Sequence, residues 1–191
     1  MLRQIVKGIK VLLLCACLSV SVTQALELQE LTALLESKKN ITCDYKQVKT
    51  FQGQELNSTG SFYLIDKATI KFSQQDPFAM DTVLNSEKLV QIIDGNETAI
   101  TKENNPQVFE VINLVMQVFS LQQDLENHFA VKLTGTLDNW TLFLEPKDAV
   151  LKKVFKSILL KGSDNIQSIT ITDNNQDLTC LEFCKWSEIN F

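Results

Sequence analysis

The fifteen residues Gly60–Gln74, "GSFYLIDKATIKFSQ", decide how the rest of the chain is read. Phe62, Leu64, Ile70 and Phe72 stand at every second position on either side of Asp66-Lys67. A period of two is the mark of a strand with one face buried. Lys67 and Lys71 interrupt the apolar alternation, and Lys71 is wedged between Ile70 and Phe72. Whether Lys71 is a solvated strand lysine or a basic group with a task depends on the sheet to which the strand belongs.

The same alternation runs through most of the chain. Upstream, "ITCDYKQVKTF" puts Ile41, Cys43 and Tyr45 on one face. Downstream come "FAMDTVLN", "KLVQIID" and "ETAIT", then "HFAVKLTG", "NWTLFLEP", "KKVFKSILLKG", "NIQSITITD" and "DLTCLEFCKW". Turn signals separate them at Asp76-Pro77, Asp94-Gly95-Asn96, Asp138-Asn139, Gly162 to Asn165, and Asp173 to Asn175. Eleven strands at a spacing of about 8–12 residues form an antiparallel meander, and so many strands curl into a barrel or half-barrel. The fold class is therefore mainly β, an incomplete barrel with helices on its open side.

Two segments carry helical spacing. Leu28, Leu31, Leu34 and Leu35 predict a helix over about 27–39, with Glu27 and Glu30 in its first turn and Lys38 and Lys39 in its last. In "PQVFEVINLVMQVFSLQQDL", Phe109, Ile112, Val115, Met116 and Phe119 make an apolar stripe behind Pro106. Val108, Val111, Leu114 and Val118 make this second helix apolar on its other faces as well, so it is covered on more than one side or covers something greasy. A barrel interior closed by such a helix is a natural apolar ligand cavity.

The 191 residues suit one domain, with apolar residues at 45% and charged residues at 21%. Residues 1–25 differ from the rest. Arg3, Lys7 and Lys10 precede an apolar run, "VLLLCACLSVSV", and Thr23-Gln24-Ala25 supplies small residues at −3 and −1. This is the layout of a cleaved secretory signal, and the run is shorter than the about 20 residues a membrane span needs. The reading is a signal over 1–25 and one domain over 26–191. Cleavage before Cys17 in "LCAC", with acylation of that cysteine, is the alternative. The chain has 18 basic and 23 acidic side chains, and loss of residues 1–25 leaves 15 against 23, a net charge of about −8. That surface repels nucleic acid and anionic membrane faces and suits a soluble monomer.

No catalytic set is visible. His128 is the single histidine and has no nucleophile beside it in sequence, so the chain does not read as an enzyme. No spacing of histidine and cysteine supports zinc, and no cofactor motif occurs. Asp173 to Asp177 resembles a calcium loop without its glycine and distal glutamate, and a hairpin turn explains it. Export implies an oxidising compartment, in which Cys43 pairs with Cys180 or Cys184 or all three are buried thiols.

The ordered pieces resemble the LolA-type outer-membrane lipoprotein carriers of Gram-negative bacteria. They are Tyr45-Lys46-Gln47, Gly60-Ser61-Phe62-Tyr63, Ile70-Lys71-Phe72 with Pro77 after it, Ile93 to Asn96, the strand Trp140-Thr141-Leu142-Phe143-Leu144-Glu145-Pro146, and Asp173 to Thr179. The departures are lysine at 71 where the family has arginine, no glycine in the last hairpin, and no aromatic after Asp94-Gly95. The resemblance implies an eleven-stranded incomplete barrel closed by helices around a cavity that receives acyl chains. It implies a periplasmic carrier of acylated lipoprotein or lipid cargo, with an inner-membrane donor and an outer-membrane acceptor as partners. It makes Lys71 the residue that ties the lid to the barrel, and Phe62, Ile70, Phe72, Phe109, Ile112, Met116, Phe119 and Trp140 the candidate lining. A lipid-sensing or regulatory module of the same fold, or a tethered acceptor acylated at Cys17, are the other readings.

Overall fold

A computed structural model describes residues 26–38, 40–120 and 125–189. The segment read as an export signal, with Cys17, lies outside the described residues. The elements run α1 Leu28–Glu36, β1 Ile41–Phe51, β2 Gln54–Ile65, β3 Thr69–Asp76, β4 Met80–Leu84, β5 Lys88–Ile93, β6 Asn96–Thr101 and α2 Pro106–Ser120. They continue with α3 Leu125–His128, β7 Phe129–Thr136, β8 Asn139–Pro146, α4 Leu151–Val154, β9 Phe155–Gly162, β10 Ile166–Asp173 and β11 Leu178–Glu188.

All eleven expected strands are present and form one antiparallel sheet in the order β6-β5-β4-β3-β2-β1-β11-β10-β9-β8-β7. Every neighbour is a hairpin partner except β1 and β11, which join the two ends of the chain at the centre of the sheet. The sheet is not closed: β6 and β7 are its edges, and α2 is the connection between them.

Local chemistry explains the turns. Asp94 and Gly95, both at positive φ (51° and 78°), join Ile93 to Asn96 in a two-residue hairpin, which the right-handed twist of paired strands favours. Gln52 and Gly53 do the same between β1 and β2. The Asp173 carboxylate accepts the backbone N–H groups of Asn175 (2.8 Å) and Asp177 (3.0 Å), so its charge is spent on the turn before β11.

Gly60 marks an irregular register between β2 and β3, where a Cβ would collide with the Ser73 carbonyl. Only glycine permits that approach. A second irregularity lies between β1 and β11. Cys43 faces both Lys185 and Trp186, and Lys185 takes a φ of 57°.

Several boundaries differ from the sequence reading, among them the start of β2 at Gln54 and of β4 at Met80, and His128, which ends α3 and does not open β7. The first helix ends at Glu36, so Lys38 lies beyond it, and the Ser37 hydroxyl donates to the Leu34 carbonyl at the helix end instead. "KKV" at the head of the ninth strand belongs to the short helix α4. The second helix ends at Ser120, and α3 follows after the undescribed residues 121–124.

The core lies on one face of the sheet, beneath α1 and α2. It joins Leu31 of α1 and Val118 of α2 to Phe62, Leu64, Ile70, Trp140, Leu142, Leu144, Ile158, Leu160, Ile169 and Leu181. Each side chain so buried contributes about 1.5–3 kcal/mol through removal of its apolar surface from water.

Candidate functional site on the concave face

The inward residues of β1, β2, β3 and β11 place an aromatic cluster under α2. Phe119 stacks on Phe62 with ring centroids 5.4 Å apart and planes 21° from parallel. Phe72 meets Phe62 edge-on at 5.2 Å and Tyr45 at 5.3 Å. Phe183 and Trp186 complete the group, 5.3 and 5.9 Å from Phe62. Phe62 is therefore the hub, and Phe119 is the ring by which α2 joins the cluster, beside Val118 and Met116 in the core.

Among the described residues, the space beside Phe119 at the edge of the aromatic cluster is small. A cleft bordered by Leu35, Lys38, Ile41, Leu64, Phe119 and Trp186 holds about 20 Å³. That is room for one water molecule and none for an acyl chain.

Beyond the aromatic cluster the concave face becomes polar and opens. Burial pushes the Tyr45 phenol up from its ordinary range, against the opposite pull of its hydrogen bond to Ser58. Gln47 Nε2 donates to the same Ser58 hydroxyl at 3.3 Å. Past this belt lies an open groove of about 410 Å³ lined by Lys49, Leu56, Gln74 and Phe78 among others, with Leu56 and Phe78 more than half exposed.

The structure brings most of the sequence-derived candidates together. Phe62, Phe72 and Phe119 touch through their rings, and Ile70, Met116 and Trp140 belong to the same core. Trp140 is completely buried in a structural position, its indole N–H donating to the Ser163 carbonyl at 2.7 Å. Phe109 and Ile112 are buried on α2. Tyr45, Phe183 and Trp186 belong to the cluster and were not among the candidates.

Lys71 is placed elsewhere. Its neighbours Ile70 and Phe72 point into the core, so Lys71 points out from the opposite face, away from α2. There its ammonium lies 2.8 Å from Asp81 Oδ2 and 5.8 Å from the centre of the Tyr63 ring. Asp81 also accepts a hydrogen bond from Ser73. The Lys71 ammonium and then the Ser73 hydroxyl hold the Asp81 carboxyl below the usual carboxylate range. A lid tie through Lys71 does not fit this placement.

The considered cystine is also absent. Cys43, Cys180 and Cys184 are free thiols. Cys43 is buried in the core and Cys184, the register partner of the adjacent Asp44, is exposed on the other face, so the two side chains diverge. Cys180 pairs with Val48, five residues from Cys43. His128 lies 3.4 Å from Asp148 near the surface, with no nucleophile in the contact. Among the described residues no cluster of histidine, cysteine, aspartate and glutamate is arranged to hold a metal, and no helix is long and apolar enough to cross a membrane.

Comparison with known proteins agrees with the fold and with the resemblance. Residues 54–180 match the family described as outer membrane lipoprotein carrier protein LolA-like. Among solved structures, a LolA superfamily protein from Nitrosomonas europaea superposes with a TM-score of 0.47 at 8% identity, over 87% of this chain and 96% of that one. A chain of the MucA/MucB complex structure of Pseudomonas aeruginosa gives 0.46 at 12% identity, over 84% of this chain and 55% of that one. An outer membrane lipoprotein-sorting protein domain from Vibrio parahaemolyticus gives 0.41 at 7%, over 85% and 91%. A search of curated protein sequences finds no match. With the family match over most of its strands and the open eleven-stranded sheet beneath α2, the chain belongs to the outer membrane lipoprotein carrier LolA-like family.

Proposed function

We propose that this protein is a periplasmic carrier that takes the acyl chains of a lipoprotein or related lipid onto its concave face, beneath α2, and acts by binding alone. The observation that carries the reading is the seat of α2. Its contact with the sheet centres on the stacking of Phe119 on Phe62, in a seam of apolar side chains. Such a seam exchanges one apolar partner for another at little cost, so an acyl chain replaces the helix where the helix lifts. The nearly filled cleft means that loading and helix movement are one event. In this reading residues 1–25 export the chain, an inner-membrane protein donates the cargo and an outer-membrane protein accepts it.

A second reading draws on the same full cleft: a module that binds a partner protein by its surface needs no empty cavity. The MucA/MucB complex is a protein–protein assembly on a related fold. Mass spectrometry of an organic extract of the protein purified from its own periplasm separates the two. Stoichiometric acyl lipid supports the carrier. An extract free of lipid, together with failure to bind a fluorescent fatty acid, refutes it in favour of the protein-binding module.

A further inference from the structure

The basic residue that stands beside α2 is Lys67, not Lys71. Lys67 is the middle residue of the three-residue connection Asp66–Ala68 between β2 and β3, in a turn closed by the Ala68 N–H donating to the Ile65 carbonyl at 3.0 Å. The turn is anchored again where the Asp66 N–H donates to Asn40 Oδ1 at 2.9 Å. Asp66 and Lys67 both take positive φ, 48° and 58°. The second position of such a turn favours glycine, because a side chain there is strained. The turn fixes the Lys67 backbone, and the residue is partly buried there.

Around it is a pocket of about 320 Å³, lined by Lys67, Ala68, Ser86, Asn113, Met116 and Gln117. Lys67 makes none of the ion pairs between described residues. Of the nearby acids, Glu87 is turned to Lys102, 3.6 Å away, and the adjacent Asp66 is exposed. The side chains of Asn113, Gln117 and Ser86 add amide and hydroxyl groups to the walls. Ala68 and Met116 are the apolar walls, and Met116 also packs against the core under α2. A cation among neutral polar groups, separated from an apolar core by one flexible side chain, matches a molecule with an anionic head and an apolar tail.

We propose that this pocket is a headgroup site for an anionic amphiphile, with the oxyanion at Lys67 and the acyl chain passing Met116 into the seam under α2. The proposal rests on the reading of the concave face as an acyl-chain site, and adds the charge class of the ligand and the direction from which it enters.

The test measures equilibrium dialysis of radiolabelled palmitate, palmitoyl lysophosphatidic acid and neutral monopalmitoylglycerol against protein produced from the full-length chain. The variants are Lys67→Gly, Lys67→Met and Lys67→Arg. Loss of one partly exposed charge-assisted hydrogen bond weakens binding by about 5- to 20-fold. That loss is expected for the anionic ligands with Gly and Met, monopalmitoylglycerol changing less than twofold and Arg retaining anion affinity. Lys67→Gly relieves the strained backbone, so its thermal midpoint is expected to hold or rise, which separates lost binding from lost folding. The two anionic arms distinguish a carboxylate from a phosphate source. Equal loss for the neutral and anionic lipids, or no loss, overturns the headgroup site while leaving the acyl-chain reading intact. Inorganic phosphate that displaces palmitate at its own low concentration overturns the amphiphile in favour of a chainless anion. Failure of the wild type to bind any of the three lipids overturns both readings.

Discussion

Phe119→Ala removes the ring through which α2 grips Phe62, and with it the edge contacts to Phe72 and Phe183 at 6.4 and 6.3 Å. The void is on the order of 100 Å³, and at about 24 cal/mol per Å³ the cost is roughly 2.4 kcal/mol. Loss of one stacked aromatic pair adds about 0.5–1.5 kcal/mol. Phe119 is only partly buried, so some of the void opens to solvent, and the expected destabilisation is about 2–3 kcal/mol. For a chain of this size that lowers the thermal midpoint by roughly 5–10 °C. The same substitution enlarges the cleft from about 20 Å³ to a space that takes a small apolar guest. Urea unfolding followed by tryptophan fluorescence reports the first effect, with Trp186 5.7 Å from Phe183 as an internal probe. Binding of a neutral naphthylamine dye reports the second. Stability should fall while dye affinity rises. A variant with both quantities unchanged would refute the account of Phe119 as the grip of the helix.

Gly60→Ala drives a methyl group into the Ser73 carbonyl and the Gln74 backbone, so a loss of about 1–3 kcal/mol is expected, read as a lower urea midpoint at unchanged slope. Lys71→Leu should cost less than about 1 kcal/mol, since the Lys71–Asp81 pair is a third exposed. Asp81 is held below its ordinary value of 3.8, so the pair stabilises the fold above that pH and the benefit disappears as pH falls through the lower folded value. The wild-type advantage over Lys71→Leu should be flat from pH 5 to 7 and gone in strong acid; an advantage that grows in acid would contradict it. Burial, with smaller contributions from Cys184 and Asp44, pushes the Cys43 thiol up. Iodoacetamide at pH 8 should alkylate exposed Cys184 first and Cys43 only on unfolding, as peptide mapping would show.

The strand count was legible because nearly every connection is a hairpin, with turn chemistry at its tip and alternation on its flanks. What was not legible are the places where the period slips. Strict alternation from Leu181 and Phe183 sends Lys185 inward and Trp186 outward. The extra residue opposite Cys43 reverses this and returns Trp186 to the aromatic cluster. Nothing in "EFCKW" announces that slip. Alternation alone already set Lys71 on the face opposite Phe72, and the family resemblance drew it toward the site against that signal. Lys67 was visible only as an interruption. Its proximity to α2 comes from the packing of a turn against a helix some 46–50 residues later, between Asn113 and Gln117.

An eleven-stranded sheet with free edges at β6 and β7 differs mechanically from a closed barrel. The circumference of a closed barrel is fixed by strand number and stagger, and widening it tears ladder hydrogen bonds. Here the two margins are joined covalently, by the chain that carries α2 and α3, and β6 and β7 are not ladder partners. The sheet can therefore relax or tighten its curl by small changes of twist in each of its ten antiparallel pairings, with every bond in the ladder kept. The interior volume is then a soft coordinate, and the stiffness that resists its expansion resides in the grip of a single helix.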